Sequence, residues 1–424
     1  MNSYPTARPT SRPAGVQKIW KPASFFALLA LGPVAAQAQD KPAAPAGEPT
    51  MNGTPAEGQS PVVKDVEGVM TETVPTMEPV KEGALWDKVW GYTELYKNSE
   101  NHVIQSLKFT GRFQADYAWV GPTDYNDVSI RRFRLGLKAK MFENWTIEGE
   151  VDLAPDDNPV YDRMTVAYIA WSKTDNLQIT VGKQSAPFTM DGSTSSKALL
   201  AIDRSNVANN MWFTQEYFPG VTASGAPGNW RYLGGVYATG NDQTEFGHFD
   251  GSAFGLGSLG YDFGENLNAK EAVLAVNYVF NGQDNGGATR LLEQVASLNF
   301  TYARERWGVR TDLTGGIGYQ GQSDLWGTMV MPYYDITKKL QAVARYTFVT
   351  SVDPNGVRLN RYENQTVSGR GNEYNEFYLG LNYYFYGNKL KVQTGVDYTD
   401  MQDKANDGGA YSGWGWTTAF RLSW

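Results

Sequence analysis

From Gln105 onward, apolar and polar side chains alternate in a long series of segments of about 8–14 residues. A period of two places successive side chains on opposite faces of an extended strand. The first segment, LKFTGRFQADYAW, puts aliphatic and aromatic groups on one face and Lys108, Thr110 and Arg112 on the other. About sixteen such segments follow one another, an even number that is typical of bacterial transmembrane barrels. The alternation therefore predicts an all-β fold, a transmembrane antiparallel β-barrel that spans residues 105–424.

The connections between these segments alternate in length. Short turns such as 142–144 and 387–389 are followed by longer polar loops, at 154–161, 185–218, 239–249, 351–373 and 400–413. Short turns at one rim and long loops at the other are typical of outer-membrane barrels. A soluble sandwich is not expected to sort its loops in this way.

The apolar face carries aromatic side chains near the strand ends. These are Trp119, Trp145, Trp171, Trp307, Tyr319, Tyr398 and Trp416. Two belts of Trp and Tyr suit rings that lie at the level of lipid headgroups. The alternative is that these rings fill the core of a soluble sandwich. A closed barrel is favoured, because it leaves no unpaired backbone group in lipid.

The N-terminus has the parts of a secretory signal peptide at residues 1–38. Arg8, Arg12, Lys18 and Lys21 precede a short apolar run that ends in a small-residue site near Ala38. A membrane anchor is the alternative, but the apolar run is too short for one. Its removal would leave 33 Lys and Arg against 45 Asp and Glu, a net charge of -12. Export to a Gram-negative outer membrane is expected, and a basic nucleic-acid binder is not.

Two segments separate the signal peptide from the barrel. Residues 39–83 are rich in Pro, Ala, Gly, Glu and Thr, and their composition predicts a disordered leader. Residues 84–104 are expected to be periplasmic. Their sequence is compatible with a short helix or with a plug-like segment, and both interpretations stay open.

Oppositely charged side chains face each other on two predicted neighbouring strands, 128–141 and 145–153. The cations Arg132, Arg134, Lys138 and Lys140 share one parity, and the anions Glu148, Glu150 and Asp152 share the matching parity. Opposed charges hold register and stabilise a strand pair. These side chains either brace the wall or create a field across a channel. Arg112 and Arg132 are the best candidates for unpaired cations that face passing ions.

The segments GRFQADYAWVG, RRFRLGLKAKMFENW and GKQSAPFTMDGSTSSKALLAIDRS resemble the phosphate-selective porin O and P family. The resemblance continues into TSVDPNG and EFYLGLNYYFYGNKLKVQ. It implies a sixteen-stranded barrel, usually a homotrimer, whose long third loop folds into the lumen and forms an anion site with an arginine ladder. The family positions fall on Arg112, Arg131, Arg132, Ser195, Ser196, Lys197 and Arg204.

Two family lysines are missing from this chain. The position before the T-S-S run reads Met190-Asp191-Gly192, and the first short turn reads Asn144-Trp145-Thr146. Rings of charge set ion selectivity at close range. A preference that is milder than that of phosphate-selective members, or different from it, is therefore expected.

Other chemistry finds little support. His102 and His248 are the two histidines of the chain, so no His-rich metal site is expected. Ser193–Ser196 has no neighbouring histidine base for a hydrolase, and Glu148 and Glu150 lie opposite cations, unlike a glycosidase acid. No Gly-rich phosphate loop and no cysteine are present, and no cofactor is expected.

A passive porin for inorganic anions and small polar solutes is the function that the sequence favours. A surface-binding or structural barrel with an occluded lumen is the alternative, and a secreted β enzyme is a third. Single-channel conductance would separate the first two.

Overall fold

The computed structural model describes residues 84–155, 157, 159–212, 217–239, 245–247, 253–281 and 290–424. The predicted signal peptide (1–38) and leader (39–83) lie outside these residues. Sixteen strands form the wall. They are β1 Ile104–Val120, β2 Tyr125–Met141, β3 Trp145–Leu153, β4 Tyr161–Thr174, β5 Leu177–Ser185, β6 Tyr217–Gly225, β7 Trp230–Ala238, β8 Ala253–Asp262, β9 Glu271–Phe280, β10 Leu292–Arg304, β11 Trp307–Gly318, β12 Leu325–Asp335, β13 Leu340–Ser351, β14 Glu373–Tyr386, β15 Leu390–Gln402 and β16 Tyr411–Ser423.

Every strand pairs antiparallel with its neighbours in the chain, and the sheet closes on itself. The closing pair is β16 with β1, from Gly415 opposite Val120 to Ser423 opposite Arg112. The predicted barrel of about sixteen strands is confirmed. Its closure satisfies the backbone of both end strands, which hydrocarbon requires.

The two faces of the wall differ as the alternation predicts. Outward side chains such as Leu379, Phe377 and Trp416 are exposed, whereas alternate positions carry buried polar groups. The aromatic prediction is wrong for Tyr319, which is buried beyond the end of β11. The barrel is thus apolar outside and polar inside.

Within the described residues, four short helices accompany the strands: α1 Ala84–Gly91, α2 Met190–Ser193, α3 Asn206–Met211 and α4 Gly264–Leu267. In the described part of the chain, no helix combines the length and apolar character needed to cross a membrane. A 3-10 turn, Gly121–Thr123, joins β1 to β2, and another, Glu363–Gln365, lies between β13 and β14. The connection between β13 and β14 also contains a small hairpin, in which Val357–Arg358 pairs with Arg370–Gly371.

The segment before β1 folds against the rim where the chain's first and last strands meet. The strand Glu94–Lys97 pairs with the start of β1, and the Trp90 indole donates to the Ser423 carbonyl over 2.7 Å. Trp86 and Trp90 contact the Tyr386 ring at 6.4 and 5.0 Å between ring centres. A short helix and a strand therefore occupy this segment, and the strand covers the edge of β1 that lies beyond β16.

Candidate channel constriction

The predicted charge ladder is present on β2 and β3. Arg134 lies opposite Asp152, and its Nε donates to Oδ2 over 3.0 Å. Lys138 lies opposite Glu148 with 3.2 Å between Nζ and Oε2. Lys140 lies opposite Thr146 rather than opposite an anion. The ladder thus braces the inner wall at two rungs.

Glu150 joins this ladder to the first strand. Its carboxylate lies 3.5 Å from Arg134 Nη1 and 3.4 Å from Arg112 Nη2. Arg112 also donates to the hydroxyl of Ser196 over 2.8 Å. The prediction that Arg112 is an unpaired cation is therefore wrong. Glu150 lies opposite Gly136, which leaves room for its side chain to reach both guanidinium groups.

A β-bulge changes the alternation of β2 at Arg131. Gln114 pairs with Arg132, but the next residue of β1, Ala115, pairs with Ile130. Arg131 is the extra residue, and it turns inward beside Arg132. Arg131 Nε lies 3.7 Å from Asp203, and Arg132 donates to the Gln114 side chain over 3.1 Å. Strict alternation had predicted that Arg131 faces outward. Only the resemblance to the family had indicated Arg131 as a residue of the anion site.

The connection between β5 and β6 is called loop three here (residues 186–216, of which 186–212 are described). It contacts inward-facing side chains of five other strands. The bonds run from Gln114 of β1 to Ser196, from Lys391 of β15 to Leu199, from Asn382 of β14 to Leu200, from Arg345 of β13 to Asp203, and from Met190 to Asp312 of β11. None of these five strands is a neighbour of β5 or β6 in the ring order.

The Arg204 side chain forms its hydrogen bonds within loop three. Its guanidinium donates to the carbonyls of Asp191 and Thr194, at 2.8 and 3.1 Å, and the side chain is buried. The Asp191 carboxylate accepts from Ser205 N over 2.7 Å and lies 3.7 Å from Arg345. Arg204 therefore holds the shape of the loop.

The remaining loop-three candidates lie next to the ladder. Ser196 contacts β1 through its hydroxyl and its carbonyl, while Ser195 accepts a bond from the Lys197 amide over 3.4 Å. The charge of Lys197 acts on Glu150 together with those of Arg112 and Arg134. These residues join the loop to the anionic side of the wall.

The charges of four arginines act on Asp203, a grouping that the sequence did not reveal. Burial opposes ionisation of this carboxyl. The charges of Arg131, Arg361, Arg421 and Arg132 outweigh that cost and hold the pKa of Asp203 below its ordinary value. We call these four arginines and Asp203 the arginine ring. Arg421 is also bonded to Asp116.

A second connection, loop 352–372, also reaches inward-facing groups. The Tyr362 hydroxyl donates to Asp116 of β1 over 2.7 Å. Asn206 and Asn210 of α3 donate to the Arg358 carbonyl at 2.8 and 3.1 Å. The sequence predicted a long loop here but not these contacts.

Three further arginines lie near one another where this loop meets α3 and the start of β10. Arg290 donates to the Asn209 carbonyl, and Arg370 donates to Gln322 over 3.0 Å. Burial and the positive charges of Arg358 and Arg370 lower the pKa of Arg290. In the described chain no carboxylate oxygen approaches these three guanidinium groups within ion-pair distance. They form a second cationic patch.

The described residues contain no group of three or more His, Cys, Asp or Glu that could hold a metal ion. The arrangement consists of fixed guanidinium groups, carboxylates and backbone dipoles around a polar interior. Such an arrangement can select solutes by charge and size.

A closed sixteen-stranded barrel with an apolar exterior and a polar, charged interior defines the class of outer-membrane porins. Within that class, the family model for phosphate-selective porin O and P matches residues 107–330. The chain belongs to this family, and its place is the Gram-negative outer membrane.

Solved structures agree on the fold. The high-pH structure of OprB from Pseudomonas putida has a TM-score of 0.56 at 11% identity, covering 75% of this chain and 94% of that one. An anion-selective porin from Comamonas acidovorans has a TM-score of 0.52 at 11% identity, with coverage of 75% and 99%. The channel DcaP of Acinetobacter baumannii has a TM-score of 0.51 at 13% identity, with coverage of 78% and 99%. A search of curated proteins finds no match.

Proposed function

We propose that this porin is a passive diffusion channel for small hydrophilic solutes and that it favours anions. The observation that carries the proposal is the arginine ring, in which the charges of four arginines act on Asp203 while Asp116 pairs with one of them, Arg421. Loop three leaves the wall between β5 and β6 and bonds to β13 and β14 on the opposite side of the ring, so we place it across the lumen as the constriction. Fixed charge at a narrow point sets ion selectivity.

The acidic composition of the chain does not oppose this preference. Salt screens exposed charges beyond about 8–10 Å, so distant surface carboxylates contribute little at the constriction. The arginine ring and the patch of Arg290, Arg358 and Arg370 act on the permeating ion at short range. The anion-selective porin from Comamonas acidovorans shares the fold and supports the same direction.

Phosphate is expected to bind weakly. Asp191 stands near the position of one missing family lysine, and its carboxylate lies next to Arg345. Arg112, Arg134 and Lys138, which the sequence suggested as pore-lining cations, have carboxylate partners. Their charges are therefore largely neutralised for a passing anion.

Several further properties belong to this proposal. We infer that the protein performs no catalysis, that residues 1–38 are a signal peptide, that residues 39–83 are a leader and that the channel assembles as a homotrimer. The family resemblance and the composition of the N-terminus support these inferences. Inorganic anions, small polar solutes and outer-membrane lipid are the expected partners.

Reversal potentials in a salt gradient test the ion preference. Wild-type channels in planar bilayers should favour chloride over potassium. The double variant Arg131→Ala, Arg361→Ala should shift the permeability ratio toward cations by several-fold, because the ring then loses two of its four cations while Asp203 and Asp116 remain. Lys338→Ala, an exposed cation on a short turn, is the matched control and should leave the ratio unchanged. A cation-selective wild type would reject the proposal.

Phosphate block of chloride current tests the strength of anion binding. Because the two family lysines are absent, half-block should need millimolar phosphate or more, which corresponds to about 4 kcal/mol or less of binding free energy. Titration of single-channel current with phosphate at constant chloride measures it. Micromolar block would show that the arginine ring restores a strong site.

An occluded barrel is the second candidate, and the inward contacts of two separate loops favour it. Single-channel recording separates it from a porin, since an occluded barrel shows no steady conductance. Deletion of loop residues 353–369 should then open such a barrel, whereas an open porin should gain only modest conductance from the same deletion.

A further inference from the structure

A small polar cavity lies between loop 352–372 and the inner wall. Its volume, about 30 Å³, is roughly that of one water molecule. Four carboxyl groups and two guanidinium groups line it, namely Asp203, Glu363, Glu376, Asp397, Arg345 and Arg361. Glu363 belongs to the loop, and Glu376 and Asp397 belong to β14 and β15. Carboxyl groups therefore outnumber cations where the loop meets the wall.

The carboxyl groups in this cavity are not equally compensated. Glu376 accepts from Arg345 over 2.8 Å and from the Tyr374 hydroxyl over 2.9 Å. Asp397 has Thr399 as a hydrogen-bond donor at 3.4 Å. Across the described ranges, no Lys or Arg nitrogen lies within ion-pair distance of Glu363 or Asp397. These two carboxyl groups, one on the loop and one on the wall, therefore share one cavity with no cation at ion-pair distance in the described residues.

Other charged or titratable groups face Glu363 from every neighbouring element. They are Asp203 of loop three, Arg345 of β13, Tyr374, Glu376 and Tyr378 of β14, Asp397 of β15, Tyr411 of β16, and Arg361 and Tyr362 of its own loop. Arg345 is already paired with Glu376, and Arg361 lies over the Tyr362 ring. Neither arginine is placed to neutralise both members of the pair.

We propose that Glu363 and Asp397 form a proton-dependent latch, in which one shared proton holds loop 352–372 against the inner wall and loss of that proton to water releases the loop. Two ionised carboxylates in one buried cavity repel each other, whereas a carboxylic acid and a carboxylate attract. Closely paired carboxyl groups therefore retain one proton between them.

The direction of the pH effect follows from the loop group. Burial, followed by the negative charges of Asp397 and Glu376, raises the pKa of Glu363 well above its ordinary value. A raised carboxyl pKa means that docking is most stable below the ordinary value of about 4.3 and is lost as pH rises toward the raised value. Within that window, each pH unit can lower the ratio of docked to released loop by up to tenfold.

Release of loop 352–372 would alter contacts at the constriction. Tyr362, next to Glu363, bonds to Asp116, which in turn is paired with Arg421 of the arginine ring. The same loop holds α3 through the Arg358 carbonyl. A released loop therefore frees these contacts of loop three, together with those from Arg358 N to Asn210 and from Asn209 to Asn360, and widens the path through the barrel. The latch rests on the proposed channel function, and its primary readout is conductance. Because Arg361 belongs to both the loop and the arginine ring, release also withdraws one cation from the ring.

Single-channel recording between pH 4.5 and 8.5 tests the latch. Wild-type conductance, or the fraction of time in the higher-conductance level, should rise with pH. Glu363→Gln keeps a neutral donor beside Asp397 and should hold the low-pH behaviour over the whole range. Asp353→Asn, an exposed carboxylate of the same connection, is the matched control and should retain the wild-type response. Reversal potentials recorded on the same channels at pH 4.5, where the loop is docked, report the ion preference separately.

A labelling measurement reads the loop directly. The chain has no cysteine, so Val367→Cys introduces a single thiol at a partly buried position of the loop. At pH 8.5, the rate of maleimide labelling should be about tenfold higher with Glu363 present than in the Glu363→Gln variant. At pH 4.5, the two labelling rates should be equal. If Glu363→Gln does not assemble, Asp397→Asn serves in its place with the same expectation. A conductance that does not change with pH, or a variant that titrates like wild type, would overturn the latch.

Discussion

Arg134 shows how single residues serve the wall of this channel. The side chain is 1% exposed, contacts Asp152 and Glu150, and donates to the Tyr217 hydroxyl over 2.6 Å. A guanidinium group can satisfy several acceptors at once because its five N–H groups are fixed in one plane. The sequence predicted its parity and its anionic partners. It did not predict Tyr217, because β6 is not adjacent to β2 in the chain.

Replacement of this residue should destabilise the barrel strongly. Arg134→Met leaves Asp152 and Glu150 with less compensation, and breaking a buried ion pair costs about 3–5 kcal/mol. Urea unfolding in detergent, followed by heat-modifiable gel mobility, measures the loss. The double variant Arg134→Met, Asp152→Leu should recover part of it, since one uncompensated carboxylate is removed. Equal stability of wild type and Arg134→Met would contradict this role.

Strands and loops differ in how far their sequence specifies them. The predicted pair 128–141 and 145–153 agrees with β2 and β3 because each strand must place its apolar side chains toward lipid. Loops carry no such period, and their contacts join distant parts of the chain, as in the bond between Tyr362 and Asp116. The bulge at Arg131 also escaped prediction, since one extra residue leaves the composition of a strand unchanged.

The outward parity of β14 gives a test at the level of one strand. Leu379 is near the middle of β14 and is 63% exposed. Leu379→Arg should cost about 2–4 kcal/mol, because a cation near the bilayer midplane loses its hydration. Folding into lipid vesicles at increasing urea measures this cost. Leu379→Val is the control and should fold normally. A tolerated arginine here would place this face toward water.

Closure of the barrel is a property of the whole molecule. It depends on close approach of two backbones, that of β1 and that of the C-terminal residue after β16. Gly111 exchanges two backbone hydrogen bonds with Trp424, at 3.0 and 3.1 Å. A Cβ at this position would lie 2.4 Å from the Arg134 carbonyl oxygen and 2.6 Å from the Trp424 ring. Only a residue without a side chain fits between them.

Gly111→Val should therefore reduce the yield of closed barrel, as judged by the heat-modifiable band in outer-membrane fractions. Gly149→Val provides a matched control, because the nearest atom to a Cβ there is a carbonyl oxygen at 4.0 Å. Similar yields for the two variants would show that the seam adjusts more easily than its geometry indicates.

The pairing of β16 with β1 also sets an order of events in time. About 300 residues of chain separate the two strands, so the ring has no complete wall until its last strand has been made and delivered. Until then β1 presents unpaired backbone along its length, and an edge of this kind recruits other strands into aggregates. The short strand Glu94–Lys97 emerges before β1 and pairs with the start of that edge. It can shield part of the waiting strand while the rest of the chain is still crossing the inner membrane.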